Sequence, residues 1–392
     1  MTTKLYLDDP FTCEFSAALV ATGDQKGTPY AVLERTYFYP EAGGQRADRG
    51  WLAEAQVTDV QEHEGAVRHL LDRPLALAPG AQVAGRVDRA VREDHMQQHT
   101  GQHMLSAAFI EVIGAPTISF HMGDDLCTID LERDDLTWDE VTRVEDRVNQ
   151  VIREDRPIAV LYPTPAEREA LKLRKEPAVS ENLRVIRVEG FDQSPCCGTH
   201  CTRTGQVGAI HVRRWERVRQ KARVHFLCGQ RAVADHRQKS RLVLALGAAF
   251  SARDDQLEAR VADAQARVKE LAREADALRE ELWTHQAVAL AAGARPVGRV
   301  RLVTAPASSP AHAKVLALAL TAAPDLVAYL YTPAGDATLA AGANTGVDAG
   351  KLFKALVTPR GGKGGGQAAL AQGRLAPEAA AALAAELPAA LP

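Results

Sequence analysis

The sequence lacks the features that direct a protein into or across a membrane. Its start, MTTKLYLDDPFTCEF, has neither the basic beginning nor the apolar run of a signal peptide. No uncharged apolar stretch elsewhere reaches the length that spans a bilayer. We therefore expect a cytoplasmic protein that has no membrane partner.

Cysteine and net charge are also scarce. Six cysteines in 392 residues are too few for a disulfide scaffold, and three of them, Cys196, Cys197 and Cys201, lie close together beside a histidine. In a reducing compartment such a cluster indicates a metal site or a reactive thiol. The formal net charge of −3 gives no global attraction to polyanions, so any contact with nucleic acid must come from a local basic patch.

The length of the chain and its changes in sequence pattern predict a multidomain α+β protein. Residues 1–90 consist of short strand-like runs separated by turns that contain Gly or Pro, which predicts a small domain resembling a β-barrel. Residues 91–235 mix helical and strand patterns and predict an α+β domain. Residues 293–392 combine strands, helices and a glycine-rich loop, and predict a small α/β domain.

Residues 236–292 carry a heptad pattern. Apolar residues there alternate steps of four and three: Leu257, Val261, Ala264, Val268, Leu271, Ala275, Leu278 and Leu282. Charged residues flank them, so we expect one long helix, over about 238–290, in a helical hairpin or coiled coil. The partner lies in the same chain or in a second copy, and a homodimer through this helix or the C-terminal domain is an open expectation.

Metal-binding residue types are concentrated in the second predicted domain. His99 and His103 are four residues apart on a predicted helix, so both imidazoles lie on one face and reach a single ion. Later in the chain, Cys196 and His200 flank the turn-forming Gly198. The mixture of nitrogen and sulfur donors favours zinc over iron or copper, and three protein ligands with an open position would make it catalytic. The alternatives are a structural zinc knuckle and buried cysteines that bind nothing.

Several strings resemble the motifs of one family. QQHTGQHMLSAAF, TISFHMG and GFDQSPCCGTHCTRTGQVGAI are similar, in order and spacing, to the editing domain of alanyl-tRNA synthetases and of free-standing AlaX-type proteins, whose hallmark pair is HxxxH and CxGTH. YPEAGGQRADRG (39–50) resembles the glycine-rich motif before the editing core. RGGKGGGQAALAQG (360–373) resembles the glycine loop of the C-terminal DHHA1 domain. No aminoacylation core is found before the β-rich domain, so we expect an editor without a synthetase, of the long AlaX type.

This resemblance implies hydrolysis in trans of tRNA(Ala) mischarged with serine, with glycine as a further candidate. A pocket built for alanine rejects neither strongly, because glycine is only smaller and serine only adds a hydroxyl. The reaction is attack by water on an aminoacyl ester, and one zinc ion per chain would polarise the carbonyl, activate the water or anchor the substrate.

Two other functions stay open at this point. One is a non-catalytic protein that binds RNA or assists a synthetase and carries a structural zinc. The other is a phosphodiesterase, because DHHA1-like domains also accompany phosphoesterases. Those enzymes need an Asp-His-His metal centre, and the sequence has no such tripeptide.

The resemblance places the metal ligands at His99, His103, Cys196 and His200. His200 is alternatively a general base that acts on water or the ribose hydroxyl. Where the family pattern reads CGGTH, this chain has Cys197, interpreted as a tolerated small side chain; the alternative is a spare thiol that replaces Cys196 or is oxidised with it. His95, one helical turn before His99, is expected to be solvated rather than to bind metal.

The resemblance also implies residues that act on the substrate. The Thr117 hydroxyl is expected to recognise the serine hydroxyl, although Thr is also common in ordinary strands. Gln45 ends the AGGQ motif and is expected to help to exclude alanine, and Ala42 stands where the family has a glycine. The other expected catalytic, substrate-binding or bracing residues are Gly43, Gly44, His121 and Asp192.

Two basic regions are expected to bind tRNA. One follows the predicted metal ligands, surrounds Trp215 as a stacking face, and contains Arg213, Arg214, Arg217 and Lys221. The other surrounds the C-terminal glycine loop and contains Lys351, Arg360 and Lys363. The alternatives are a solvated charged face and a flexible surface loop. In the family the C-terminal domain contacts the outer corner of the tRNA, so the long helix would act as a spacer.

Overall fold

The structure is a computed structural model that describes residues 1–176 and 183–392. The chain divides into two compact units, Met1–Ala245 and Leu246–Pro392. None of the helices in these described residues is both long enough and apolar enough to cross a membrane.

The first part of the N-terminal unit is a closed β-barrel. Its strands follow the order β2-β3-β7-β6-β5-β8 around the barrel. They comprise β2 (Glu14–Gln25), β3 (Thr28–Leu33), β5 (Gly50–Leu52), β6 (Ala55–His63), β7 (Ala66–Leu71) and β8 (Gln82–Val87). Two short strands, β1 (Thr3–Lys4) and β4 (Arg35–Thr36), pair in parallel beside it. Burial alternates along β8, which matches the two-residue period of a strand with one face toward the barrel interior.

A helix-covered sheet follows the barrel. The helices are α1 (Arg89–Ile113) and α2 (Trp138–Arg153), and the sheet has the order β14-β15-β10-β9. Its strands are β9 (Thr117–Met122), β10 (Cys127–Leu131), β14 (Ile210–Val218) and β15 (Lys221–Cys228). Asp88 caps α1 at its N-terminus and Gly114, with a φ of +65°, ends it. Apolar residues of α1, α2 and this sheet form one continuous core.

A smaller sheet completes the N-terminal unit. It has the order β11-β12-β13, with β11 (Ile158–Leu161), β12 (Val185–Val188) and β13 (Asp192–Pro195), and α3 (Pro165–Ala170) lies between its first two strands in the chain. The strand β13 ends immediately before Cys196. The CCGTH segment is therefore held at its start by a paired strand.

A buried ion pair joins the barrel to α1. Arg92 on α1 is 1% exposed and donates to Asp48, which is fully buried. The same guanidinium donates to the carbonyl oxygens of Pro10 and Tyr37. Asp48 also accepts a hydrogen bond of 2.6 Å from the backbone N–H of Tyr39. The chain segment that leads into the AGGQ motif is thus fixed to the helix that carries His99 and His103.

The C-terminal unit has a six-stranded sheet with the order β16-β17-β18-β19-β21-β20. Its strands are β16 (Arg295–Val297), β17 (Val300–Pro306), β18 (Leu326–Tyr331), β19 (Asp336–Ala341), β20 (Lys363–Gly366) and β21 (Leu370–Arg374). The helices α6 (Pro310–Leu320), α7 (Ala349–Val357) and α8 (Pro377–Glu386) follow β17, β19 and β21 in the chain. Two apolar clusters pack them against the sheet.

The predicted long helix is present and carries the whole heptad pattern, but its predicted bounds of about 238–290 are wrong. The structure has α4 (Gly229–Phe250) and α5 (Leu257–Ala292), separated by a short non-helical segment. Ser251, directly after α4, adopts a left-handed φ of +50°, and the Ala252 N–H that follows donates to the Gly247 carbonyl oxygen at 2.9 Å, which ends the helix in a Schellman-type cap. The heptad residues Leu257 to Leu282 all lie on α5.

Candidate metal centre

Four potential metal donors converge in the N-terminal unit. His99 and His103 come from α1, and Cys196 and His200 from the loop after β13; their donor atoms all lie within 4.8 Å of one another. Cys196 Sγ is 3.5 Å from His99 Nε2 and 3.2 Å from His200 Nε2. Zinc bonds of about 2.0–2.3 Å place the donors of a tetrahedral site roughly 3.3–3.6 Å apart. The two Cys196 distances match this spacing, and the His₃Cys cluster can hold a metal ion.

Gln45 and Thr199 fix the orientation of the His99 ring. His99 Nδ1 lies 2.6 Å from Gln45 Oε1, which also accepts from the Thr199 N–H at 3.1 Å. The other end of the amide, Gln45 Nε2, donates to Thr199 Oγ1 at 2.8 Å. Because an amide oxygen is only an acceptor, His99 Nδ1 carries the hydrogen. His99 Nε2 is left with its lone pair facing the cluster, as metal binding requires.

The Nδ1 atoms of the other two imidazoles also face polar groups. His200 Nδ1 lies 3.2 Å from Thr100 Oγ1, which accepts a hydrogen bond from the Cys201 N–H. His103 Nδ1 lies 3.5 Å from Asp192 Oδ2, and neither of these two buried atoms has a hydrogen-bond partner. Arg174 Nε donates to the other oxygen, Asp192 Oδ1, at 2.8 Å. A carboxylate behind a metal-binding imidazole is a common arrangement in zinc sites.

Only a glycine fits at position 198. A Cβ added to Gly198 would lie 2.2 Å from His99 Cε1 and 2.7 Å from Gln45 Oε1. The Gly198 N–H points at Cys196 Sγ at 3.3 Å, and its carbonyl oxygen accepts from Arg184 Nη1 at 3.0 Å. The loop thus brings backbone, rather than a side chain, against the His99 ring.

Burial controls the protonation of the donors. It lowers the pKa of His99 to about 3, with Lys175 and Arg184 acting in the same direction. Burial also lowers the pKa of His103 and His200, so all three imidazoles are neutral at physiological pH. Burial raises the pKa of the Cys196 thiol. Neutral imidazoles are ready to bind a cation, and a cation would in turn stabilise the Cys196 thiolate.

A cavity of about 410 Å³ opens beside the donor cluster. Its lining includes His99, His103 and Cys196 on one side and residues Thr117 to Phe120 of β9 on another. Arg174, Lys175, Glu176 and Arg184 line it as well. The cavity therefore joins the candidate metal centre, a strand with a hydroxyl group, and a basic rim.

Two of the predicted substrate residues lie behind the metal donors. Gln45 is fully buried and Asp192 is 5% exposed, and neither lines the cavity. Gly43 does line it, whereas a Cβ on Gly44 would lie 2.5 Å from the carbonyl oxygen of Phe120. His121 is exposed and is not among the lining residues. Gly44 therefore packs against β9, and His121 points away from the cavity.

Cys197 and His95 complete the predicted positions near the cluster. Cys197 is exposed and lines the cavity, while Cys196 beside it belongs to the donor cluster. The expectation that His95 is solvated is wrong, because it is 6% exposed and its Nδ1 has no partner. It is also outside the donor cluster. His95 instead lines a cavity of about 350 Å³ together with Arg46, Asp124 and Arg231, which are distant from it in the chain.

Sequence reasoning missed several residues that support this centre. Thr100, next to His99 in the chain, contacts His200 Nδ1. Thr199, next to His200, accepts a hydrogen bond from Gln45. Arg184 donates to the backbone oxygens of Cys196, Gly198 and Leu7. The threonines are adjacent to the motif histidines, which was an available indication. Nothing in the local sequence marks Arg184, since its partners are carbonyl oxygens.

The basic stretch on β14 and β15 is largely neutralised by carboxylates. The ion pairs are Arg213–Asp235, Arg214–Glu216, Arg217–Asp134 and Arg223–Asp130. Trp215 packs edge-on against Trp138, with 4.3 Å between ring centroids. In the four-stranded sheet, β14 is three strands and β15 two strands from β9, so the stretch is roughly 9–14 Å from the cavity strand. Lys221 has no ion-pair partner among the described residues, and the tRNA-binding role stays a prediction.

The predicted tRNA-binding residues of the C-terminal unit differ in availability. Arg360 pairs with Glu386 and donates to the Leu356 carbonyl oxygen. Lys351 lies on the first turn of α7, 3.5 Å from Asp348. Lys363 begins the exposed glycine strand β20 and lines a surface cavity of about 500 Å³ with Arg374. Lys363 is therefore the most available of the three, and its role also stays a prediction.

Two known protein families match parts of the N-terminal unit of this chain. The family described as threonyl and alanyl tRNA synthetase second additional domain matches residues 183–223. The family described as class II (A) tRNA synthetases matches residues 14–91. Together these matches include Gln45, Cys196 and His200.

Individual relatives give longer matches. The alanyl-tRNA editing protein Aarsd1 of Rattus norvegicus is 34% identical over 206 residues, which are 52% of this chain and 50% of the relative. The alanine–tRNA ligase of Pyrococcus abyssi is 30% identical over 390 residues, or 95% of this chain but 42% of the ligase. The alanyl-tRNA editing protein AlaX-L of Pyrococcus horikoshii is 30% identical over 384 residues, or 96% of this chain and 95% of the relative. The resemblance found in the motifs is thereby confirmed, and the chain belongs to the family of alanyl-tRNA editing proteins of the AlaX-L type.

Proposed function

We propose that this chain hydrolyses, in trans, the ester that links serine to tRNA(Ala), with a zinc ion held by His99, His103, Cys196 and His200. The cavity beside the four donors supports this proposal because it places a buried hydroxyl network within the space available to an aminoacyl ester. Family membership supports the same substrate class. Glycine esterified to the same tRNA is the second expected substrate.

The hydroxyl network is the observation that carries the choice of serine. Thr117 Oγ1 donates to Ser106 Oγ at 2.7 Å, and Ser106 Oγ also accepts from Gln102 Nε2 at 2.8 Å. Because the Thr117 proton is used in this way, its oxygen lone pairs are left to accept a hydrogen bond from the cavity side. A serine hydroxyl can donate that bond, whereas the methyl group of alanine leaves it unmade.

The donor set fits zinc. Gln45 and Thr100 hold the Nδ1 atoms of His99 and His200, and the buried His103 Nδ1 faces Asp192 Oδ2 with no other partner for either atom. When bound, zinc would supply a Lewis acid and an anchor for the ester or its amino group. We assign His200 to the metal rather than to general-base catalysis. Its Nε2 faces Cys196 Sγ and its Nδ1 faces Thr100, so both nitrogens are engaged inside the protein.

The basic rim of the cavity supports binding and hydrolysis of a negatively charged substrate. Lys175 and Arg184 line the cavity, and Arg184 is held rigidly by its bonds to backbone oxygens. Positive charge fixed at this position stabilises the oxyanion that develops as water attacks an ester carbonyl. It also favours the approach of the terminal phosphates of a tRNA.

The test is a deacylation panel with the purified, metal-analysed protein. We expect hydrolysis of the seryl ester on tRNA(Ala), slower hydrolysis of the glycyl ester, and a negligible rate on the alanyl ester. The His103→Ala variant should lose both the metal and the activity. Thr117→Val should keep the metal and slow only the seryl ester, by roughly tenfold, as the loss of one hydrogen bond predicts.

Thr128→Val, on the neighbouring strand β10, is the matched control and should behave like the wild type. A metal-loaded protein that leaves the seryl ester intact would instead favour the non-catalytic RNA-binding alternative. An equal effect of Thr117→Val on the seryl and glycyl esters would remove the proposed role of the hydroxyl network.

A further inference from the structure

Arg174 lies in the chain between α3 and β12 and is bonded to β13 at two points. Its backbone N–H donates to the Gln193 carbonyl oxygen at 2.8 Å. Its side-chain Nε donates to Asp192 Oδ1, also at 2.8 Å. The Arg174 side chain is 10% exposed and that of Asp192 is 2% exposed, so the ion pair is almost completely buried. Arg174 is therefore fixed to the strand that leads directly into Cys196.

The second oxygen of the Asp192 carboxylate faces a metal donor. Asp192 Oδ2 lies 3.5 Å from His103 Nδ1, and neither of these buried atoms has a hydrogen-bond partner. At this distance the contact is electrostatic rather than a full hydrogen bond. Because a carboxylate oxygen only accepts, it favours the tautomer in which His103 Nδ1 carries the hydrogen. That tautomer leaves the lone pair of His103 Nε2 free for a metal ion.

The direction of Asp192 Oδ2 depends on what holds Oδ1. A carboxylate group is planar, so a bond that fixes one oxygen also fixes the other. Among the described residues, Arg174 is the one side chain besides His103 that lies within ion-pair distance of Asp192. A carboxylate buried this deeply also needs an opposite charge beside it. The Arg174 guanidinium thus supplies both the orientation and the counter-charge.

Arg174 also lies between two cavities. One is the cavity of about 410 Å³ beside the donor cluster, and the other is a cavity of about 520 Å³ whose lining includes Lys172, Phe191 and Asp192. Arg174 is the one described residue that lines both. A shorter side chain at this position would open the Asp192 carboxylate to water, and water bound to Oδ2 would compete with His103.

We propose that Arg174 is a positioning residue of the metal centre, which orients His103 through Asp192 without binding the metal itself. The contacts run from Arg174 Nε to Asp192 Oδ1, and from Asp192 Oδ2 to the imidazole. At His99 the buried Gln45 amide has the corresponding position behind the ring. The inference rests on the proposed function, because it assigns a role within that metal site.

The alternative role for Arg174 is direct contact with the substrate. It lines the cavity beside the donor cluster together with Lys175 and Arg184, so its charge is close to the space available to an anionic ester. The bond from Nε to Asp192 favours positioning, because the guanidinium charge is then paired inside the protein. The two roles also differ in effect. A positioning residue changes metal affinity and kcat, whereas a substrate contact changes KM.

The experiment measures zinc affinity, by competition with a chromophoric chelator, and the absorption spectrum of the cobalt-substituted protein. Arg174→Gln should raise the zinc dissociation constant by about 10–100-fold, change the cobalt spectrum, and lower kcat on the seryl ester at saturating zinc. Arg174→Lys keeps the charge but not the planar donor, so its zinc constant should rise less, by roughly threefold to tenfold. The matched control is Arg187→Gln on β12, where the arginine is exposed and has no ion-pair partner among the described residues. It should behave like the wild type.

A double-mutant cycle tests whether Arg174 acts through Asp192. In an Asp192→Asn background, Arg174→Gln should weaken zinc binding by less than roughly threefold more, because both changes remove the same contact. Fully additive effects would overturn the proposal, as would a raised KM with unchanged zinc affinity. If Arg174→Gln does not fold, an Arg174→Lys protein with the wild-type zinc constant and cobalt spectrum would overturn it.

The metal measurements need no substrate, so they separate this inference from the proposed function. If Arg174→Gln weakens zinc binding as expected but the wild type leaves the seryl ester intact, the proposed function fails and the positioning role stands. If the wild type hydrolyses the ester and Arg174→Gln leaves zinc binding unchanged, the positioning role fails alone.

Discussion

Replacing Gln45 with leucine should weaken metal binding rather than substrate binding. The fully buried Gln45 amide accepts from His99 Nδ1 and from the Thr199 N–H, and it donates to Thr199 Oγ1. Leucine has a similar size but no polar atoms, so it leaves two buried N–H groups without partners. Each unpaired group costs about 1–3 kcal/mol of folding free energy, which gives roughly 2–6 kcal/mol in all.

The metal effect follows from the His99 ring. Without the Gln45 oxygen, nothing holds the hydrogen on Nδ1 and the Nε2 lone pair toward the cluster. Loss of such an outer partner typically weakens metal binding by about 10–100-fold. The affinity is measured by competition with a chromophoric chelator, the stability by urea unfolding, and the reaction by kcat and KM on the seryl ester.

The control for this substitution is Gln150→Leu on the exposed face of α2, where the amide donates to Glu154 and accepts from Arg147, both at the surface. It should leave all three measurements unchanged. A folded Gln45→Leu protein with unchanged metal affinity and a raised KM would refute the argument. Such a result would show that Gln45 acts on the substrate, as the sequence motif suggests.

Three further predictions follow from buried contacts. Gly198→Ala should lose metal and activity, because its Cβ would lie 2.2 Å from His99 Cε1. The control Gly293→Ala, whose Cβ would have no atom nearer than 3.7 Å, should be tolerated. Metal analysis of both proteins distinguishes these outcomes. Arg92→Met should cost about 3–5 kcal/mol in urea unfolding by leaving Asp48 buried and unpaired, and Asp48→Asn in the same background should recover part of that loss. His69 is buried between Thr36 and the Ala31 carbonyl oxygen, and burial lowers its pKa to about 4, so the folded protein resists its protonation. The neutral His69 therefore contributes up to about 3 kcal/mol of unfolding free energy above pH 6.5, and this contribution is lost as the pH falls toward 4. His69→Gln should flatten this part of the plot of unfolding free energy against pH. Parallel plots for the two proteins would contradict the assignment.

Local patterns were sufficient for part of the fold and of the site. The alternation of apolar residues and turns in the first 90 residues indicated strands, and the structure closes strands from this region into a barrel. The four-residue spacing of His99 and His103 and the Gly198 turn indicated a shared metal, and the structure brings their donor atoms together with those of Cys196 and His200. These features depend on neighbours within a few residues, so the sequence displays them directly.

The remaining features depend on partners distant in the chain. The sequence shows a run of arginines on β14 and β15, but Asp134 and Asp130, which neutralise Arg217 and Arg223, belong to another segment. His95 is polar and precedes a motif, yet it is buried among residues distant in the chain, such as Arg46 and Arg231. Gln45 belongs to a motif that suggested substrate contact, and its burial behind His99 results from the packing of the barrel loop against α1.

The ion pair between Arg92 and Asp48 limits which fragments of this protein can keep an intact editing site. A truncated version that starts at residue 91 would keep all four metal donors and the whole hydroxyl network. It would lack the acceptor for His99 Nδ1, and it would leave the Arg92 guanidinium, now 1% exposed, with neither its counter-ion nor its carbonyl partners. The barrel is therefore part of the smallest autonomous editing module, and dissection or transplantation of that module should begin at the first residue.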